Sequence, residues 1–527
     1  MSTIFLRHMS RISIFTYISV LFLAVCIPAQ GQISAWEGYT LYNPNNSRTT
    51  YLINMKNEVV HTWQNARSGG YCAYLLENGN LLRPATVPNA QLQAPAYSGL
   101  IQEITWTGNV VWEFTYSSAT YIAHHDIEPL PNGNILLIAY EVKSAAEAVA
   151  KGRTTNAALW PDHIVEVRPI RPSGGEIVWK WHAWDHLVQD RDPAKPNYGV
   201  ISEHPGRLNV NLPSLGFGPS AADWLHVNGI SYNPDRDEIV ITSHNQSELW
   251  VIDHSTTTEE AAGNTGGRRG KGGDILYRWG RPANYGRSGS AVFDVVHCPW
   301  WVPKGLPGEG NILAFNNNAR ARASIITELT PPRDAQGNYV LESGAAFGPA
   351  TPAWTYSNST AFFSNHLGGN QRLPNGNTLI SEATKGRFLE VTPSGEVVWS
   401  YNTGRETARV LRYAPDYPGL KALHTTSADG GETQIADFSI RNYPNPFSGH
   451  TVLTYTVAKA GPVRISIHDV TGREVARFDR EANGPGTWEA AWDGTDTQGA
   501  KVPGGMYLCR LYSAAGMRTH KLVVMGE

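Results

Sequence analysis

The segment Gly395-Glu396-Val397-Val398-Trp399-Ser400-Tyr401 decides the fold. A small, acidic turn leads into β-branched and aromatic residues, the composition of a strand. The same figure recurs at Asn57-Glu58-Val59-Val60-His61-Thr62-Trp63, Gly108-Asn109-Val110-Val111-Trp112-Glu113-Phe114, Gly175-Glu176-Ile177-Val178-Trp179-Lys180-Trp181 and Gly273-Asp274-Ile275-Leu276-Tyr277-Arg278-Trp279. A weaker copy is Pro352-Ala353-Trp354-Thr355-Tyr356. Between the copies stand hairpin turns: Asn78-Gly79-Asn80, Pro131-Asn132-Gly133-Asn134, Gly308-Glu309-Gly310-Asn311 and Pro374-Asn375-Gly376-Asn377. Each is followed by β-formers, the strongest short-range hairpin signal. Arg236-Asp237-Glu238 is a cousin with Asp in place of Gly. A repeating antiparallel unit of about 45 residues reads as a propeller blade. Six copies predict an all-β chain with a six-bladed β-propeller over residues 36–425, the longer gaps being insertions on one face. The repeated Trp residues are expected to pack between blades.

Composition agrees with this reading. At 527 residues the chain is too long for one compact core. Charged residues are 17% of the total, against an average of about 25%. With 51 Gly, 33 Pro, 17 Trp and 23 Tyr, disorder, coiled coils and helical repeats are excluded. The net charge of −3, without a cluster of five or more Lys or Arg, argues against nucleic acid as the main partner.

The N-terminus reads as a secretion signal over residues 1–31. Arg7 and Arg11 precede an apolar stretch from Ile12 to Ile27, and Ala29-Gln30-Gly31 offers small residues for cleavage. The stretch is too short for a membrane span, and nothing in the mature chain is long and apolar enough to be a transmembrane segment. Three cysteines then remain, Cys72, Cys298 and Cys509, too few for a disulfide scaffold. A pairing of Cys72 with Cys298 is left open.

Residues 426–437 are small and polar, a linker. From residue 438 to 527 short alternating strands, such as Thr451-Val452-Leu453-Thr454-Tyr455-Thr456-Val457, predict a small immunoglobulin-like β-sandwich.

Four of the 17 histidines fall in three motifs: Ala123-His124-His125-Asp126, Asp223-Trp224-Leu225-His226-Val227-Asn228 and Phe293-Asp294-Val295-Val296-His297. Each precedes or begins a blade strand. The innermost strands of a propeller line its channel, so matched positions converge near the axis. Gathered imidazoles serve as nucleophile, acid or base because they titrate near neutrality. Packed, hydrogen-bonded core histidines are the alternative reading. A metal site of His124, His125, His226, His244 and His297 is a further one, but their spacing matches no compact metal motif.

The body, residues 36–425, resembles the bacterial arylsulfotransferase family that needs no nucleotide sulfate donor. The resemblance rests on the three histidine motifs, on Gly38-Tyr39-Thr40-Leu41-Tyr42 with Tyr51-Leu52-Ile53-Asn54, on Phe315-Asn316-Asn317 and on Gly369-Asn370-Gln371-Arg372-Leu373. It implies sulfuryl transfer from a phenolic sulfate donor to a phenolic acceptor, without cofactor or metal. It assigns His297 as nucleophile forming a sulfohistidine, and His226 as general acid and base. His125, or its neighbour His124, would contact the sulfuryl oxygens. Asn228 and Trp300, in Trp300-Trp301 beside His297, are taken as substrate-binding. One departure stands out: where the family carries a sulfate-clamping Arg, Thr242-Ser243-His244-Asn245-Gln246 places His244. His is neither permanently charged nor bidentate. Arg320, Arg322 and Arg372 are candidates to compensate. The motif Trp181-His182-Ala183-Trp184-Asp185-His186 reads either as a gate or as packing.

The tail resembles a type IX secretion sorting domain, type A. The carriers are Tyr443-Pro444-Asn445-Pro446-Phe447, Asp469-Val470-Thr471-Gly472-Arg473, Trp492-Asp493-Gly494 and Gly504-Gly505-Met506-Tyr507. This implies export, a secreted or cell-surface location and the type IX machinery as partner. A non-catalytic surface propeller that binds glycans or proteins is the alternative to an enzyme.

Overall fold

Each aromatic repeat forms the last strand of a four-stranded antiparallel sheet. Six such sheets follow one another between residues 39 and 413 in the computed structural model. The structure describes residues 34–89, 92, 95–213, 222–425 and 439–525, apart from 444, 458–459, 483, 485 and 514–515. The expected signal segment 1–31 and linker 426–437 lie outside the described residues.

Sheet II comprises Tyr74–Leu75, Leu81–Thr86, Gly99–Ile104 and Val110–Thr115. Sheet III comprises Tyr121–Pro129, Ile135–Glu141, Asp162–Pro169 and Gly175–His182. Sheet IV comprises Val227–Asn233, Glu238–Ser243, Glu248–Asp253 and Tyr277–Trp279. Sheet V comprises Val296–Trp301, Ile312–Asn316, Ile325–Leu329 and Trp354–Tyr356. Sheet VI comprises Gly369–Arg372, Thr378–Glu382, Arg387–Val391 and Val397–Asn402. Sheet I is built from both ends of the body. Its last three strands are Tyr39–Tyr42, Thr49–Ile53 and Val59–Gln64, and its first is Val410–Tyr413, paired from Tyr39↔Tyr413 to Tyr42↔Val410. The segment after the last repeat, Val410–Tyr413, therefore belongs to the first sheet and closes the set.

The repeated Trp residues do more than fill space. Trp63 Nε1–H donates to Thr105 O (3.1 Å), Trp112 to Gly174 O (2.8 Å) and Trp181 to Gly273 O (2.7 Å). Trp279 donates to Pro349 O (2.9 Å), Trp354 to Pro393 O (2.8 Å) and Trp399 to Met55 O (3.3 Å). Every acceptor lies in the turn before the last strand of the next sheet, and the sixth bond returns to sheet I. The indole thus satisfies its own donor while joining neighbours into a ring.

The Gly-Asn turns join first and second strands, as expected. Gly133 (φ 83°) and Gly376 (φ 89°) occupy the left-handed position; Asp237 (φ 55°) takes it in the cousin turn. The turn Asn side chains reach a buried Glu on the third strand: Asn80 to Glu103 and Asn311 to Glu328 and Asn377 to Glu390, each at 2.7 Å. First strands contact one another at the centre. Asn228 Nδ2 donates to Val296 O (2.8 Å), Asn370 Nδ2 to Cys298 O (2.9 Å) and Ile230 N to Asp126 Oδ2 (3.1 Å). Gly229 permits this approach, since a Cβ there would lie 2.4 Å from Pro299.

The C-terminal segment forms two antiparallel sheets. One holds Ser439–Tyr443, Thr451–Val457 and Gly486–Trp492; the other holds Gly461–His468, Glu474–Ala482, Gly505–Ser513 and Gly516–Val524. Phe447, Leu453, Ile465, Trp492, Tyr507 and Leu511 share their core. Among the described residues, no helix is long and apolar enough to cross a membrane.

Candidate active site

Three of the six first strands are distorted near the histidine motifs. Sheet III has a bulge between His124 and Ile127, sheet IV between Val227 and Gly229, and sheet V between His297 and Trp300. His125 (φ 52°), His226 (φ 52°), Cys298 (φ 47°) and Leu367 (φ 56°) are left-handed without being Gly. Each such residue costs about 1–3 kcal/mol, a cost concentrated at functional sites. Bulges re-aim side chains, and here they turn them from the sheet faces to the axis.

The result is an unbroken row of buried imidazoles. Ring centroids are 5.0 Å apart for His124–His125, 4.7 Å for His125–His226, 4.9 Å for His226–His244 and 5.4 Å for His244–His297. Burial, and then the neighbouring imidazoles, hold His124, His125 and His244 well below the usual histidine range. Burial lowers His297 to about 3. At neutral pH these four rings are therefore uncharged and keep a lone pair.

Hydrogen bonds fix which nitrogen carries it. Asn317 Nδ2 donates to Ser364 O (2.9 Å) and Leu367 O (2.7 Å), so its Oδ1 faces His297 Nδ1 at 2.6 Å. His297 thus carries its proton on Nδ1 and its lone pair on Nε2. The Leu367 N–H donates weakly to that lone pair at 3.2 Å. His226 Nδ1 lies 2.5 Å from Asp223 Oδ2 and 3.2 Å from the Tyr140 hydroxyl, which leaves Nε2 as its working atom. His244 Nδ1 donates to Asn245 Oδ1 at 2.9 Å, while Asn245 Nδ2 donates to Asp223 O at 3.0 Å. Neutral His244 therefore has a lone pair on Nε2, not a donor.

His125 and His124 are separated by this geometry. His125 lines the central cavity with its neighbour Asp126. His124 lies behind it: its Nδ1 is 2.7 Å from His125 Nδ1, its ring stacks on Tyr140 at 3.6 Å, and its Nε2 is 2.9 Å from Asp162 Oδ1, off the line of a hydrogen bond. Burial raises the Asp162 carboxyl well above the usual range.

The cavity wall draws on all six repeats: Asp126, Asn228 and His297 lie in the first strands of sheets III, IV and V, and Arg409, Cys72 and Gly368 lie just before those of sheets I, II and VI. The sequence reading left Arg409 out. It sits just before the first strand of sheet I, as His226 does in sheet IV. Its guanidinium contacts Asp126 through both oxygens (3.0 and 2.9 Å), the Tyr74 hydroxyl (2.5 Å) and Cys298 Sγ (3.4 Å). Asn228 lines the cavity with both ends engaged: Nδ2 on Val296 O, and Oδ1 accepting from Thr242 Oγ1 at 2.6 Å. Tyr71, half-buried, covers His125 at 5.6 Å.

Trp300 and the three candidate arginines do not stand where they were expected, and two open readings are resolved. Trp300 does not line the cavity; beyond the sheet V bulge it points into apolar clusters with Leu313 and Tyr74. Arg372 is tied to Glu328, exposed Arg320 leans on Asp294 (3.6 Å), and Arg322 lies over Phe363 (5.6 Å), so none of the three compensates for His244. Cys72 and Cys298 are free, buried thiols beside Arg409. The Trp181–His186 motif is mostly packing: Trp181 stacks on His186, whose nitrogens meet Asp274 Oδ1 and Ala261 O, each at 2.8 Å. Among the described residues, the group with metal-compatible spacing is Glu141, His163 and His182, which shares no member with the axial histidines.

No curated protein matches the chain. A FlgD Ig-like domain matches residues 447–516. Among solved structures, the chain is similar to a protein of unknown function from Bacteroides caccae, at 13% identity over 71% of this chain and 98% of that one, with a TM-score of 0.38. It is also similar to the β-propeller domain of Cps50 (Swd1) from Myceliophteria thermophila, at 8% identity over 74% and 96% with a TM-score of 0.35. The chain is also similar to FlgD from Xanthomonas campestris, at 28% identity over 15% of this chain and 58% of that one, with a TM-score of 0.13. The family described as Arylsulfotransferase (ASST) matches residues 96–413. That span exceeds half of the chain and holds all five axial histidines, and on it the chain belongs to the arylsulfotransferase family.

Proposed function

We propose that this arylsulfotransferase moves a sulfuryl group from a phenolic sulfate ester to a phenolic acceptor through a sulfohistidine on His297. The six sheets are read as the blades of a propeller whose axis carries the site. One observation carries the mechanism: the tautomer of His297, imposed by Asn317, leaves a neutral Nε2 lone pair in a cavity shared with His125 and Arg409. Nε2 attacks sulfur, the N–S bond forms, and the S–O bond to the aryl oxygen breaks with its electron pair on the phenolate. His226 Nε2 supplies the proton to that oxygen. In the second half, His226 takes the acceptor's proton, and the acceptor oxygen displaces Nε2 from sulfur. Asn317 Oδ1 accepts from Nδ1–H as the sulfated ring becomes cationic, a charge-assisted bond. The transition state is loose and spreads charge over the sulfuryl oxygens. His125, the second N–H of Asn228 and Arg409 are the donors nearest that charge.

The cavity encloses about 20 Å³, room for one water. An ester enters as Tyr71 and the Leu367–Gly368 turn draw back, which also removes the Leu367 N–H from Nε2. The overall test is transfer from p-nitrophenyl sulfate to a phenol by the wild type and by His297→Ala.

His244 offers no cation in the neutral range. Burial holds it well below the usual histidine range, with a lone pair rather than a donor on Nε2. In His244→Arg a permanently charged donor replaces that lone pair, so kcat/KM is expected to increase about tenfold at about pH 7 to 8, where the wild-type ring is neutral. An unchanged kcat/KM in the variant would count against a role for His244 at the sulfate.

We also read residues 1–31 as a signal peptide and 438–527 as a type IX sorting domain, so that the enzyme reaches the cell surface or medium. The motif residues quoted above support this; the match at 447–516 is to a FlgD Ig-like domain, which is a different domain and not itself a sign of type IX sorting. A chain lacking 438–527 should remain in the periplasm of a type IX-competent host. Secretion of that truncated chain at the full-length level would refute the reading.

A further inference from the structure

We infer that sheet III carries a divalent-metal site, best suited to Zn²⁺, made by Glu141, His163 and His182. These residues are 19 or more positions apart in sequence, but three successive strands bring them side by side. His163 is in register with His182 on the edge strand, and Glu141 ends the strand on the other side. One ligand atom from each lies within 4.8 Å of the other two.

An independent observation points to a ligand. His163 is 1% exposed, yet its Nδ1 has no hydrogen-bond partner. Its Nε2 is held 2.9 Å from the Tyr116 hydroxyl. Leaving a buried imidazole nitrogen unpaired is unfavourable. A cation at Nδ1 removes that cost, and Nε2–H then donates to the Tyr116 oxygen, the outer-shell bond typical of a ligating histidine. His182 Nδ1 already stands 3.2 Å from Glu141 Oε1, close to the ligand–ligand spacing of about 3.4 Å in a tetrahedral zinc site. The two imidazoles are parallel, 4.8 Å apart, so His182 needs only to swing towards His163. Its side chain is 30% exposed, which gives it that freedom and leaves the fourth position to water. Two imidazoles and a carboxylate suit Zn²⁺ rather than Mg²⁺ or Ca²⁺. Lys143 Nζ, 2.8 Å from Glu141 Oε2, occupies the other carboxylate oxygen and makes Glu141 a one-oxygen ligand.

The site borders the catalytic row. Tyr140, which meets His226, precedes Glu141, and Asp162, which meets His124, precedes His163; Tyr140 and Asp162 pair across the sheet. A metal here would pin the strands that set those two contacts.

The test titrates ZnCl₂ into chelator-treated full-length protein by calorimetry, with Co²⁺ absorption as a second readout. One equivalent should bind with micromolar affinity, and Co²⁺ should show tetrahedral d–d bands. His182→Gln at the edge strand and Glu141→Gln should each weaken binding about tenfold or more and abolish the bands. His226→Ala and His297→Ala should leave both readouts intact. No binding at 100 µM Zn²⁺, binding indifferent to His182→Gln and Glu141→Gln, or binding lost in His226→Ala would each overturn the inference.

Discussion

His297→Ala should lower kcat for sulfuryl transfer by about 10⁴-fold or more, with the fold intact. Of the two imidazoles that line the cavity, His297 is the one whose Nδ1 is held by a side-chain amide; the amide-held His244 is not among the lining residues. His125 shares its Nδ1 contact with His124, and His226 faces Asp223 and Tyr140. The alanine leaves a space where the ring was and strands Asn317 Oδ1, but Asn317 Nδ2 keeps both carbonyl bonds. A moderate stability loss is therefore expected, far smaller than the activity loss. Wild type incubated with p-nitrophenyl sulfate and no acceptor should release one equivalent of p-nitrophenol in a burst. It should gain the mass of one SO₃ on the peptide that contains His297. A wild type with neither burst nor adduct would exclude the covalent route. Equal activity in wild type and His297→Ala would exclude the site, and two equally inert proteins would favour a binding propeller.

The second large effect concerns Arg409. Arg409→Met should destabilise the protein by about 3–5 kcal/mol, because it strands Asp126 as an unpaired buried charge. Asp126 also accepts from Ile127 N (3.0 Å) and Ile230 N (3.1 Å), and burial raises its carboxyl while Arg409 opposes that. Those two backbone bonds cannot replace the guanidinium. The double variant Arg409→Met with Asp126→Leu removes both charges and should recover most of the denaturation midpoint. Activity should stay lost in both, since neither presents a cation to the incoming sulfate ester. If the double variant regained stability and activity together, the pair would be a structural device alone. Arg409→Lys sharpens the point: it keeps the charge but not the two-pronged contact, and should raise KM more than it lowers kcat.

The outer architecture was legible because it is written in local chemistry. An Asn-Gly turn closes a hairpin wherever it stands, and a Trp on an edge strand needs a partner for its indole N–H. Trp63, Trp112, Trp181, Trp279, Trp354 and Trp399 all find that partner at one equivalent place in the next sheet. The histidine motifs were legible for the same reason, each lying in or just before a first strand. Arg409 escaped because its strand, Val410–Tyr413, pairs with Tyr39–Tyr42 from the other end of the body, and no local pattern shows that closure. Trp300 misled because adjacency to His297 in sequence is not adjacency in space. The bulge after His297 sends Trp300 to the apolar side.

Residue type and order alone therefore determined the all-β class, the hairpins, the aromatic ring contacts and the set of histidines with chemical capacity. Tertiary structure decided how that capacity is used. It chose the Nδ1 proton of His297 through Asn317, held His244 neutral by burial, placed His124 behind His125, and brought Arg409 to the cavity across the closure. The physical reason is range: turn and strand preferences act over a few residues, whereas tautomer, desolvation and ion pairing depend on groups that meet only after the ring has closed.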